Sequence, residues 1–94
     1  MQIRKIIWLD HIVEKIETRH HLSQDEVEDV FANDPKYRKA ARGDFQGEDL
    51  YYAYGQTESG RYIFVVFIYK KTRDALIISA REMDPTERKR YVKK

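Results

Sequence analysis

The stretch GRYIFVVFIYKKTRDALIISAREMDPTERKRY, residues 60–91, decides the fold. Residues 62–69 are an unbroken apolar and aromatic run, rich in side chains that suit a pleated sheet. Such a run is apolar on both faces, so its strand, read over residues 61–70, should be central and covered on both sides. Lys71-Thr72-Arg73-Asp74 then turns the chain into a second strand over residues 75–81. After it Asp84 can cap a helix with Pro85 at its first position and Glu87 three residues beyond the cap. Side chains alternate along a strand, so Ser79 and Arg81 are expected on one face with Ile77, and Leu76, Ile78 and Ala80 on the other. A guanidinium held at the end of a rigid strand suits an anion, and phosphate is the obvious one for a slightly basic chain.

Outward from this core, a tyrosine-rich strand over residues 50–57 should hairpin through Glu58-Ser59-Gly60 into the central strand. Residues 36–41 follow Pro35 and read as an extended, basic edge strand, joined to the tyrosine strand by a glycine-containing turn over residues 42–49. At the front, residues 3–9 read as a strand, and Asp10 can cap a helix to about residue 19 in which Ile12, Val13 and Ile16 recur at helical spacing. His20 falls four residues after Ile16 on that inward stripe. The best-marked helix start is Ser23, with Glu26 completing a capping box, Leu22 and Val27 a hydrophobic staple, and Val27, Val30 and Phe31 the buried face. The last helix offers only Tyr91 and Val92 to a core and should dock thinly. The expectation is one α+β domain over residues 1–94. It has a mostly antiparallel sheet of four to five strands, two N-terminal helices packed on it and a short C-terminal helix.

A chain of 94 residues has room for one small core. With no cysteine there can be no disulfide, thiolate metal site or thiol nucleophile. No apolar run is long enough to span a bilayer and no signal peptide opens the chain, so the expected location is the cytoplasm. The net charge of +2 hides an uneven spread: residues 10–34 hold eight acids against Lys15 and Arg19, while residues 36–42 hold four bases and residues 88–94 five, with no acid in either. Part of the surface should be acidic and part basic, which suits nucleic acid or a charged protein partner. Asp25, Glu26, Glu28 and Asp29 crowd one helix near His20 and His21, but no pair has metal-ligand spacing, and acids in a first helical turn answer the helix dipole. No metal or other cofactor is expected. No helix-turn-helix pattern is present, which argues against a DNA reader.

The element order strand-helix-helix-strand-strand-strand-strand-helix, with its motifs, resembles the BrnT family of type II toxins, whose fold is RelE-like. The resemblance spans nearly the whole chain. It rests on Trp8 and Asp10, Arg19-His20, the helix from Glu26-Val27 to Phe31, Tyr54-Gly55-Gln56-Thr57, Gly60-Arg61, Val65-Val66-Phe67, Ile77-Ile78-Ser79-Ala80-Arg81, Glu87-Arg88 and Tyr91. It implies a small ribonuclease that cleaves RNA without the ribosome and without metal. It also implies silencing by a ribbon-helix-helix antitoxin, through which alone the chain would meet DNA. Two positions depart from the family pattern: His21 stands where glycine is common after the histidine, and Leu50 where an arginine often precedes the tyrosine strand. A weakened toxin would fit both.

Metal-free RNA cleavage uses the 2′-hydroxyl as nucleophile, so the protein supplies a base, an acid and cations for the charge on phosphorus. His20 is the candidate for proton transfer, since histidine titrates near neutrality. Arg61 and Arg81 would hold the phosphate, brought near one another if their strands pair. Tyr52, Tyr54 or Tyr69 would stack a base, Ser79 would donate a hydrogen bond, and Arg19 and Tyr91 complete the substrate-binding set. Each has a structural alternative: His20 as a packed histidine, Arg81 as the partner of Glu82, Asp84 or Glu87, and Tyr91 as the anchor of the last helix. The competing function is a module without catalysis that binds RNA or protein, such as a degenerate toxin in a repressor complex.

Overall fold

A computed structural model describes residues 1–42 and 48–93, so residues 43–47 of the turn expected over residues 42–49 lie outside the described residues, and residues 48 and 49 already belong to a strand. The elements are β1 (Ile6–Ile7), α1 (Asp10–His20), α2 (Gln24–Ala32), β2 (Lys36–Ala41), β3 (Glu48–Gln56), β4 (Tyr62–Lys70), β5 (Ala75–Glu82) and α3 (Pro85–Val92). The strands make one sheet in the order β1-β5-β4-β3-β2, antiparallel throughout except where β1 runs parallel to β5. β4 is central, as its apolar faces require, and β2 is an edge.

Local chemistry sets the helix starts. The Ser23 hydroxyl accepts from the Glu26 N–H at 3.2 Å while the Glu26 carboxylate accepts from the Ser23 N–H at 3.0 Å. Asp84 and Glu87 repeat the device at α3, at 2.8 and 2.9 Å. Each cap is worth about 1 kcal/mol. Asp10, expected as a cap, instead lies in the first turn of α1, and Leu9 holds the cap position with no side-chain bond. The Asp10 carboxylate there faces the positive end of the helix dipole. The opening strand is also shorter than the 3–9 expected. Only Ile6 and Ile7 pair in register, with Ala75 and Leu76. Arg4 and Lys5 continue the contact by backbone bonds to Arg73 and Ala75 at 2.8 and 2.9 Å, and Trp8 turns away to donate its indole N–H to Glu28 at 2.9 Å.

α1 and α2 cover one face of the sheet. Ile12, Ile16, Leu22, Val27 and Val30 meet Ala53, Ile63, Val65, Phe67, Ala75, Ile77 and Ala80 in the buried core. Phe67 is its centre, with the rings of Phe31, Tyr51 and Tyr37 at centroid distances of 5.3, 6.0 and 6.1 Å. A fully buried side chain of this size contributes about 1.5–3 kcal/mol. Gly55 lets α2 close on β3, since a Cβ there would stand 3.0 Å from Val30 Cγ1 and 3.2 Å from Pro35 Cβ.

The alternation expected along β5 is broken by a bulge. Val66 pairs with Ser79 but its neighbour Phe67 pairs with Ile77, so Ile78 is an extra residue without a partner. The extra residue reverses which side later side chains take. Ile77 and Ala80 are both fully buried on the helix side, while Ser79 and Arg81 pair with Val66 and Phe64 and point to the open face. Ser79 and Arg81 therefore do not share a face with Ile77.

Candidate functional site

On the open face, strand register gathers a basic and aromatic cluster at one end of the sheet. Arg81 lies opposite Phe64, Phe64 opposite Tyr54, and Tyr54 opposite Lys36. The Arg81 guanidinium rests 4.5 Å from the centre of the Phe64 ring and grips Glu87 through both terminal nitrogens, at 2.8 and 2.9 Å. The Glu87 carboxylate raises Arg81 above the ordinary guanidinium value and is itself held below the usual carboxylate range by Arg81. Tyr54 packs tilted against Phe64 at 5.1 Å and Tyr52 edge-on to it at 4.9 Å. Ser79 is two residues further into the sheet, opposite Val66.

α3 lies over this end with no buried residue of its own, held by polar and aromatic contacts. Lys36 Nζ donates to the Tyr91 carbonyl at 2.8 Å, Tyr91 meets Tyr62 at 5.9 Å, and the Arg88 guanidinium sits 4.2 Å above the Tyr62 ring. Tyr91 is thus the anchor of the last helix and also a wall of the open-face cluster.

The second group of candidates occupies the helix-covered side of the same end. Arg61 donates to Glu26 at 2.6 Å and to the His21 carbonyl at 3.0 Å, and its Nε lies 3.5 Å from Glu82. Burial would raise the Glu26 carboxyl, but the bonds from Arg61 and the Ser23 N–H outweigh it and hold Glu26 below its ordinary value. Arg61 fastens the α1–α2 connection to the sheet. His20, in the last turn of α1, is half-buried, and among the described residues neither ring nitrogen has a hydrogen-bond partner. His21 adopts the left-handed conformation at φ 51, the position the family pattern gives to glycine. The loop keeps the glycine-type geometry with a histidine in it. Arg19 is exposed on the same turn.

Arg61 and Arg81 are not brought side by side. Arg61 stands one residue before β4 rather than beginning it; Glu82 faces Ile63 on the helix side and Arg81 faces Phe64 on the open side, so Arg61, bound to Glu82, is across the sheet from Arg81. They share an end of the sheet and are separated by its thickness. A groove of about 300 Å3 crosses that rim between Arg61 and Arg88, lined also by Tyr62, Glu82 and Met83. Tyr69 is at the opposite end, its hydroxyl donating to the Gln2 carbonyl at 2.6 Å and its ring edge-on to Tyr51. Sequence reading passed over Phe64, Lys36, Arg38 and Arg88. Lys36 and Arg38 alternate along β2, a signal for a shared face, but only the register of β2 on β3 puts them beside Tyr54 and Tyr52. Among the described residues no group of three His, Asp or Glu side chains could hold a metal ion.

Residues 8–87 match the profile of the family described as the ribonuclease toxin, BrnT, of type II toxin-antitoxin systems. The chain belongs to the BrnT family. As a BrnT toxin it has RNA for a substrate and an antitoxin for a partner. Its fold is similar to the crystal structure of the Brucella abortus ribonuclease toxin BrnT, with a TM-score of 0.62 at 20% sequence identity over 88% of this chain and 99% of that one. No curated protein matches it. The BrnT match takes in His20, Arg61, Ser79 and Arg81 and stops at Glu87, so Arg88, Arg90 and Tyr91 lie beyond it. No helix among the described residues is long and apolar enough to cross a membrane.

Proposed function

We propose that this toxin cleaves single-stranded RNA without a metal ion and without the ribosome, in the cytoplasm, and that a ribbon-helix-helix antitoxin silences it. The observation that carries the reading is the joint placement of the Arg81 cluster and the Arg61–His20 corner at one end of the sheet, where a groove runs between Arg61 and Arg88 of α3. An RNA strand crossing that rim meets a cation on each side. Arg61, on the His20 side, neutralises the charge that develops on phosphorus as the 2′-hydroxyl attacks, and Arg81, across the rim, holds a neighbouring phosphate of the same strand. His20, with two uncommitted ring nitrogens among the described residues, takes or returns the proton. Ser79 donates a hydrogen bond, Tyr54 and Tyr91 contact a base, and Arg19 extends the cationic surface. Tyr69, at the far end, contacts RNA only where the strand runs on along the sheet. Glu26 and Glu87 aim the arginines and yield to phosphate when RNA arrives.

The basic stretch from Lys36 to Lys39 and the basic α3 give an antitoxin a surface of opposite charge to an acidic segment. DNA is then met only through the antitoxin. The test is incubation of the purified chain with mixed-sequence RNA in chelator, beside His20→Ala and Arg81→Ala variants. Cleavage by the parent and loss of at least about 100-fold in both variants is the expected result. Cleavage that vanishes with chelator, or that survives both substitutions, overturns it.

A further inference from the structure

Between α3 and the β2–β3 edge lies a slot of about 190 Å3, with Tyr54 on the sheet side and Tyr91 on the helix side. Lys36, Arg38 and Arg90 surround it with three positive charges against the one carboxylate of Glu87. Lys36 is committed to the Tyr91 carbonyl, whereas Arg38 is exposed and without a partner among the described residues, and Arg90 is exposed. Glu87 Oε1 accepts from Arg81 and from the Asp84 N–H, but Oε2 accepts only from Arg81, at 2.9 Å, among the described residues. A carboxylate oxygen takes two donors, so one lone pair of Oε2 is uncommitted.

We propose that this slot is a subsite for one unpaired nucleobase of the RNA, stacked on Tyr54 or Tyr91, with its amino group donating to Glu87 and its flanking phosphates on Arg38 and Arg90. The slot is smaller than the ~300 Å3 at which pockets for drug-sized molecules begin, and so takes a single ring system. Aromatic faces, a half-buried acceptor and cations at the mouth are the chemistry that recognises single-stranded RNA, whose bases can splay out of the stack. Adenine, cytosine and guanine carry an amino donor. Uracil offers a ring N–H between two carbonyls, whose lone pairs would face the carboxylate, so it is disfavoured.

This inference rests on the ribonuclease reading and gives it a base preference. It is tested with 2′-O-methyl tetramers of adenosine, cytidine or uridine, which have no attacking hydroxyl, titrated in chelator by fluorescence anisotropy against the parent and Tyr54→Leu, Tyr54→Phe and Arg90→Gln variants. Adenosine and cytidine tetramers are expected to bind about tenfold or more tightly than uridine. Tyr54→Leu should weaken adenosine binding about tenfold at an unchanged melting temperature, and Tyr54→Phe, which keeps the ring, should not. Arg90→Gln should weaken every tetramer alike and flatten the salt dependence. Equal binding of all tetramers by parent and Tyr54→Leu overturns the subsite. So does a Tyr54-dependent affinity for an acidic peptide with none for the tetramers, which would make the slot a protein dock. Parallel cleavage assays separate the two readings: selective tetramer binding without RNA cleavage keeps the subsite and removes the enzyme, and cleavage without selective binding does the reverse.

Discussion

On the helix-covered face Val65, Phe67, Ile77 and Ala80 have no solvent exposure, whereas their strand neighbours on the open face, Val66, Ser79 and Arg81, are half-buried beside Phe64 at 8%. The strands are the same and the neighbours are adjacent in sequence. One face is held by apolar burial, which has no direction, and the other by arginine–carboxylate and ring contacts, which do. The first can lose an atom only by leaving a void. The second is built from charged contacts that stay partly open to solvent. Apolar burial is therefore concentrated on one face of the sheet, and the Arg81 contacts of the proposed site lie on the other.

Phe67→Ala should show the largest effect, a loss of about 3–5 kcal/mol in urea unfolding with activity falling only as folding does. Arg81→Ala should do the opposite. Its activity falls at least about 100-fold, but stability changes by less than about 1 kcal/mol, because the pair is partly solvated at 37% and 20% exposure. Equal unfolding curves for Phe67→Ala and the parent, or a large stability loss in Arg81→Ala, would break the division. Gly55→Ala tests the helix side by overfilling it and should cost about 1–3 kcal/mol, since the new methyl group meets Val30 and Pro35. His21→Gly relieves a left-handed histidine and should gain roughly 0.5 kcal/mol, the strain removed being partly offset by a more flexible unfolded chain.

The smallest effect is a pH dependence of α3, in the acid range where Glu26 also loses its bonds from Arg61 and Ser23. A carboxyl whose folded value lies below its unfolded one stabilises fully above the unfolded value and ceases to as pH falls through the folded one. Glu87 is such a group, lowered by Arg81. Below about pH 4 the helix should loosen from the open face while the core stays intact. Amide exchange in α3 that quickens with acid ahead of β4 is the expected observation, and simultaneous loss of both would contradict it.

How much of this was legible in the chain varies with the physics of each part. Ser23 with Glu26 and Asp84 with Glu87 mark their helix starts unaided, because a cap is a contact between residues three apart. The central place of β4 follows from its apolar faces. The two faces of β5 were not legible, because the bulge adds an apolar residue to an apolar run: Leu76-Ile77-Ile78 looks the same with or without it, yet it decides where Ser79 and Arg81 point. The expectation that Arg61 and Arg81 would meet failed for a related reason, since strand pairing brings backbones together but parity decides the face. The slot was invisible for want of the β2–β3 register. Tyr91 could be read as an anchor, but nothing in sequence places it across from Tyr54.

The parallel join of β1 to β5 sets a timetable. Residues 6 and 7 wait for residues 75 and 76, and Arg4 for Asp74, so this edge of the sheet closes only once residues 74–76 have been made. At about 5–20 residues per second of synthesis, residues 75 and 76 follow residues 6 and 7 by several seconds. A chain that stops short of residue 75 has neither the partner of β1 nor Arg81, and so lacks part of the proposed site.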